Sequence, residues 1–192
     1  FVSDSEFPNS DDAYTLDRFY ILSDGNDIVD VTQTSTVPDE ALKSMGLDVE
    51  TANKKFGIAQ IIENENCTGL IGNTVTLSFE AKVSNASKLD NIKAAIVSWS
   101  GTADSVTSDI ISAWGSEGTN PTLITNATYE NTPANLGVTT SFVKYSVTGT
   151  VDTSGTNNIV VFIWSDVTDT TAGHFLYITN VQLEKGNSAS DF

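Results

Sequence analysis

The clearest pattern in this chain runs from residue 74 to residue 83, where Val75, Leu77, Phe79, Ala81 and Val83 alternate with Thr74, Thr76, Ser78, Glu80 and Lys82. A period of two puts the five apolar side chains on one side of an extended ribbon. It predicts a strand with one face in a core and the other in water. Residues 177–184 alternate in the same way, with Tyr177, Thr179, Val181 and Leu183 on one face and Ile178, Asn180, Gln182 and Glu184 on the other. That run is expected to close the domain, stopped at Lys185-Gly-Asn187 by residues that tolerate turn backbone. Residues 159–164 are apolar without alternation, which suits burial on both faces.

Further strands are predicted over 14–22, 28–33, 56–63, 92–100 and 142–151, with shorter ones near 47–50, 110–114 and 122–125. Clusters rich in Gly, Asn and Asp separate them. Helical character is confined to 38–46, where Pro38 suits a first turn, acids follow and Gly46 would end it after one or two turns. Residues 64–69 read as a break. Residues 1–13 read as an arm with Phe1, Val2 and Phe7 as anchors, and 14–192 as one domain. About ten short strands and at most one short helix argue for an all-β sandwich of two antiparallel sheets. A parallel α/β fold would need crossover helices that the pattern lacks.

Charge narrows the partners. The formal net charge is -16, from 25 acidic against 9 basic residues, and Arg18 is the sole arginine. Nucleic-acid backbones and anionic membranes both recruit Lys and Arg, so neither is an expected partner. Apolar runs stay well short of a membrane span, so no insertion is expected. The single cysteine, Cys67, excludes an internal disulfide and a thiolate metal cluster.

Four stretches, in order, resemble the jelly-roll domains of phage tail-fibre and other virion-surface proteins, which are related in architecture to carbohydrate-binding modules. Tyr14-Thr-Leu-Asp-Arg-Phe19 is similar to their Tyr-Thr-Ala-Asp-Arg-Trp strand. Residues 59–63 with 70–81 are similar to their paired Gln-Arg-Ile-Glu and Thr-Val-Thr-Leu-Ser-Phe strands. Residues 140–146 resemble Thr-Trp-Thr-Arg-Tyr-Ser, and Val181-Gln-Leu-Glu-Lys-Gly186 resembles a closing Val-Gln-Leu-Glu-x-Gly. The resemblance implies a jelly-roll β-sandwich and a non-enzymatic virion protein, in capsid decoration or a tail fibre. It implies other virion proteins as partners, a homo-oligomer (commonly a trimer) and a place on the virion surface, where the domain could adhere to cell-surface glycans. The rival expectation is an extracellular carbohydrate-binding module of a secreted glycoside hydrolase. These motifs describe scaffold and transfer no ligand residue.

Candidate chemistry is sparse. Trp114 and Tyr129 sit in polar, loop-like surroundings and are the expected sugar platforms, whereas Trp99 and Trp164 end apolar strands and are expected in the core. A serine triad would have to use His174, the only histidine, but the chain has no nucleophile elbow. No cofactor is expected. The turn acids Asp24, Asp27, Asp166 and Asp169 are expected in solvent, with a structural calcium as the alternative use of such loop oxygens. On a strand, Asp17 and Arg18 would face opposite sides. An inward Arg18 would need a carboxylate, with Glu63 and Glu184 as the candidates.

Overall fold

The computed structural model describes residues 10–191, so the anchors expected at Phe1, Val2 and Phe7 lie outside the described residues. Sheet I has the strand order β10 (Val143–Thr150), β5 (Thr74–Val83), β12 (Phe175–Lys185), β3 (Ser44–Val49), β2 (Val29–Thr34). Sheet II runs β1 (Tyr20–Ser23), β4 (Phe56–Ile62), β11 (Asn158–Ser165), β6 (Ile92–Trp99), β9 (Ala127–Tyr129). A two-stranded ribbon joins β7 (Ile111–Ala113) to β8 (Thr122–Leu123). Neighbours pair antiparallel throughout.

The alternation read from β5 is the alternation observed. Val75, Leu77, Phe79, Ala81 and Val83 are fully buried and meet Ile58, Ile96, Val161 and Ile163 of sheet II across the core. Strand β11 is buried along all eight residues, as its unbroken apolar run predicts. Its inward side chains join this main core. Its outward ones, Val160, Phe162 and Trp164, join a second apolar cluster with Leu22, Ala59, Val97 and Ile110. Residues 106–123, β7 and β8 included, supply most of the roof over that second cluster, and the edge strand β9 adds Ala127 and Tyr129 beside it.

Three predicted elements take another form. Residues 14–22 are not one strand: Leu16–Arg18 forms a 3-10 turn with left-handed Asp17 (φ 51°) and Arg18 (φ 67°), and only Tyr20–Ser23 pairs as β1. Leu16 and Phe19 are both buried, and residues three apart cannot share one face of a straight strand. Residues 38–46 form no helix. The Ala41 N–H bonds back to the Pro38 carbonyl at 3.2 Å, and from Ser44 the inward alternation of Met45, Leu47 and Val49 makes strand β3 instead. The short helix lies at α1 (Asn64–Cys67), where a break is expected. It carries Cys67 into the core, where the thiol accepts the Ile159 N–H at 3.1 Å and burial pushes its pKa up.

Strand β12 also departs from its pattern. Leu176 and Ile178 point into the core, the register slips between Thr179 and Gln182, and Val181 and Leu183 then point in. Asn180, left-handed at φ 51°, makes the slip and turns its amide to Glu80 at 2.6 Å. The bulge shifts the phase by one residue, so Tyr177 and Thr179 face outward, opposite to the expectation. The closing strand pairs with β5 and β3, whereas β11 and β1, which the pattern would also set beside it, lie in the other sheet.

Asp166, expected in solvent, is fully buried at the end of β11. Its carboxylate meets the Lys55 ammonium, the Lys93 ammonium at 2.7 Å and the Gly118 N–H at 3.0 Å. The lysines come from the two sides of β11, one from the start of β6 and one just before β4. Lys55 also donates to the Ser116 carbonyl at 2.7 Å and the Thr119 carbonyl at 3.2 Å. The cluster therefore ties the 114–119 loop to the sheet beneath it. Two buried cations around one carboxylate hold only because backbone carbonyls and Asn120, 2.9 Å from Lys93, satisfy the remaining donors.

Candidate functional site

With sheet II roofed, sheet I is the sheet with an open outer face. Strand pairing lays a row across it. Tyr177 stands opposite Lys82 on one side and Gly46 on the other, and Gly46 stands opposite Thr32. Phe142, one residue before the Val143–Ala81 pair, falls beside Lys82. The Lys82 ammonium lies 5.4 Å from the ring centroids of both Phe142 and Tyr177. Phe175, two residues before Tyr177 on the same face, places its ring parallel to it at 5.4 Å. Gly46 leaves room for the tyrosine: a β-carbon there would come within 3.6 Å of the ring and 3.1 Å of Thr32 Oγ1. Three aromatic rings and one cation thus form a half-buried platform that crosses the strands.

Polar groups border the platform. Asp48 stands opposite Phe175 and beside Asp30, and burial together with the charges of Glu50 and Asp30 raises its pKa, against a smaller opposing pull from His174. Burial raises Tyr177 as well, and the Asp48 charge adds to it. The Glu80–Asn180 pair lies one row along. Beyond it an open groove of 590 Å³ runs between Pro38, Asp39 and Glu40 on one bank and Phe142, Lys144 and Asp191 on the other. Flat rings with carboxylates and amides at their edges can stack on the apolar face of a sugar and take hydrogen bonds from its hydroxyls.

The residues expected from the sequence lie elsewhere. Trp114 is half-buried in the roof over sheet II, its ring 6.1 Å from Phe162. Tyr129 stacks on Trp164 at 6.3 Å and donates its hydroxyl to the Pro121 carbonyl at 2.9 Å. Burial and the Asp166 charge push its pKa upward. Phe162 and Trp164 stack at 4.5 Å, so the fold does bring Trp114 and Tyr129 into one aromatic cluster, as packing. Trp99 and Trp164 are buried, as expected. Arg18 is exposed and forms no ion pair among the described residues; it lines an open groove of 460 Å³ with Glu63 and Tyr14. Glu184 faces outward on sheet I, where its carboxylate accepts the Ser190 hydroxyl at 2.6 Å and the Ser190 N–H at 3.0 Å, and those bonds lower its pKa. His174 is half-buried with Nε2 3.4 Å from the Asn85 amide. No group of three or more His, Cys, Asp or Glu converges on a metal position among the described residues.

The platform escaped the pattern because the bulge at Asn180 reverses the phase assigned to Tyr177. One signal was present: Leu176 and Ile178 are at least as apolar as the positions between them, so residues 175–178 alone favour the observed phase.

No family model matches the sequence, and no curated protein is similar to it. Solved structures are similar in fold. The enzymatically active domain of tailspike protein 4 from bacteriophage CBA120 superposes with a TM-score of 0.58 at 17% identity, over 95% of this chain and 21% of that one. This chain therefore spans about a fifth of the tailspike chain (21%). The CBM22-1–GH10 modules of xylanase 10B from Clostridium thermocellum, complexed with xylohexaose, give 0.57 at 12% identity over 99% and 30%. The CBM22-1 xylan-binding domain of Xyn10C from Paenibacillus barcinonensis gives 0.52 at 13% identity over 98% and 99%. These likenesses make the fold a jelly-roll β-sandwich of the kind used by carbohydrate-binding modules. Among the described residues no helix is long and apolar enough to cross a membrane.

Proposed function

We propose that this domain is a non-catalytic glycan-binding module whose ligand lies across the outer face of sheet I. The observation that carries the reading is the cross-strand row of Phe142, Lys82 and Tyr177, with Phe175 beside it and hydrogen-bonding groups at its edges. The xylan-binding domain and the xylohexaose-bound CBM22-1–GH10 modules among the similar structures support it. A glycan array with wild type, Tyr177→Ala and Trp114→Ala is the test. Binding is expected to vanish in Tyr177→Ala and to persist in Trp114→Ala. Silence across the array, or the reverse pattern, overturns the reading.

The setting we propose is the surface of a virion, in capsid decoration or a tail fibre, with the domain assembled as a homo-oligomer such as a trimer. The four ordered motifs and the similar tailspike domain support it. The second reading is a carbohydrate-binding module attached to a secreted hydrolase, favoured by the two xylanase-derived structures. Light scattering on the isolated chain separates them: a trimer supports the virion setting, and a monomer the hydrolase module.

A further inference from the structure

We propose a second sugar site, a pocket at the mouth of the sandwich that takes one neutral sugar ring. Where the bulge in β12 skips an inward position, between Ile178 and Val181, a cavity of about 110 Å³ opens between the two sheets. One water needs roughly 10–15 Å³ on that scale, so the space suits a ring rather than an isolated solvent molecule. The floor is core: Leu16, Phe19, Met45, Ile58 and Ile178. The rim is polar: Gln33 and Gln60 supply amides, and Asn180 borders it.

Three observations single the pocket out. Gln33 is buried on the inward face of β2, 8% exposed, and its amide nitrogen has no hydrogen-bond partner among the described residues. Gln60 donates its NH2 to the Asp17 carbonyl at 2.9 Å, which leaves its amide oxygen as an acceptor for a hydroxyl group. The rim charges, Asp17 and Lys43, balance, which favours an uncharged ligand in a chain of net charge -16. An apolar floor, amide donors and acceptors on the rim and no net charge match a monosaccharide with one apolar face. Asn180 also borders the groove on the outer face of sheet I, so the two sites meet at the bulge.

The choice of ligand class rests on the glycan-binding reading; the pocket itself does not. Amide spectra of the 15N-labelled chain titrated with D-glucose, D-galactose, D-mannose and D-xylose test it. Saturable shifts at Gln33, Met45, Ile178 and Asn180 are expected with at least one sugar, lost in Gln33→Leu and unchanged in Tyr177→Ala. Gln60→Leu serves as the second variant should Gln33→Leu fail to fold. No shift with any of the four sugars up to tens of millimolar, or equal shifts in both pocket variants, overturns the proposal. Failure of the outer-face reading is visible separately, as unmoved Lys82 and Tyr177 amides when the glycans of the array are added.

Discussion

Sheets I and II each contain five strands, run antiparallel throughout and share one core, yet their outer faces have opposite characters. On sheet II the outward side chains of β11 are Val160, Phe162 and Trp164, and all are as buried as the inward ones. On sheet I the outward side chains of β12 are Phe175, Tyr177 and Thr179 before the bulge, and the two rings stand half in solvent. Both faces are aromatic. One spends its rings on packing under a roof, and the other keeps them available. Aromatic content therefore does not decide which face stays open in this molecule; the path of the connecting chain does.

The comparison breaks most severely at its apolar end. Phe162→Ala should cost about 4 kcal/mol, the range for truncating a buried aromatic. Tyr177→Ala, equally outward on the other sheet, should cost about 1 kcal/mol or less. Urea denaturation of both variants measures the gap, and equal losses would mean that the two faces are not different after all. Lys55→Met should come next, at about 3 kcal/mol, because it leaves the buried Asp166 carboxylate with less compensation. Hydrogen exchange should also quicken at Gly118 in that variant, since the loop loses its tie. At the bulge, Asn180→Ala should lose about 1 kcal/mol through its left-handed backbone alone, with Asn180→Gly recovering most of that term.

The smallest effect concerns pH. Asp48 has a raised pKa in the folded state, so its ionised form is disfavoured there. The favourable contribution is present below the ordinary value of 3.8 and is lost as pH rises through the raised one. Asp48→Asn should then melt slightly higher than wild type at neutral pH and equally below 3.8. A melting curve that lies lower at neutral pH would show that Asp48 has a stabilising partner on the platform.

Most of the sandwich was legible in the sequence where a single period dominates. β5 has matching limits in pattern and structure, and β11 shows its double burial as an unbroken apolar run. The rest required information that local pattern does not hold. The residues 14–22 mix two periods because Leu16 and Phe19 both reach the core, and β9 is three residues of modest polarity defined only by its place beside β6. Asp166 looks like any loop acid until Lys93 arrives from β6 and Lys55 from just before β4. The outward aromatic row was hidden by one residue, Asn180, whose effect on phase is invisible without the register of its neighbours.

The lysine cluster has a consequence for how the domain behaves in its surroundings. A loop clamped by a bound ion is only as secure as the supply of that ion, and it loosens under dilution or a sequestering agent. Here the positive charges are covalent parts of the chain, carried on Lys55 and Lys93. The 114–119 loop therefore has anchoring charges that dilution cannot strip from the chain.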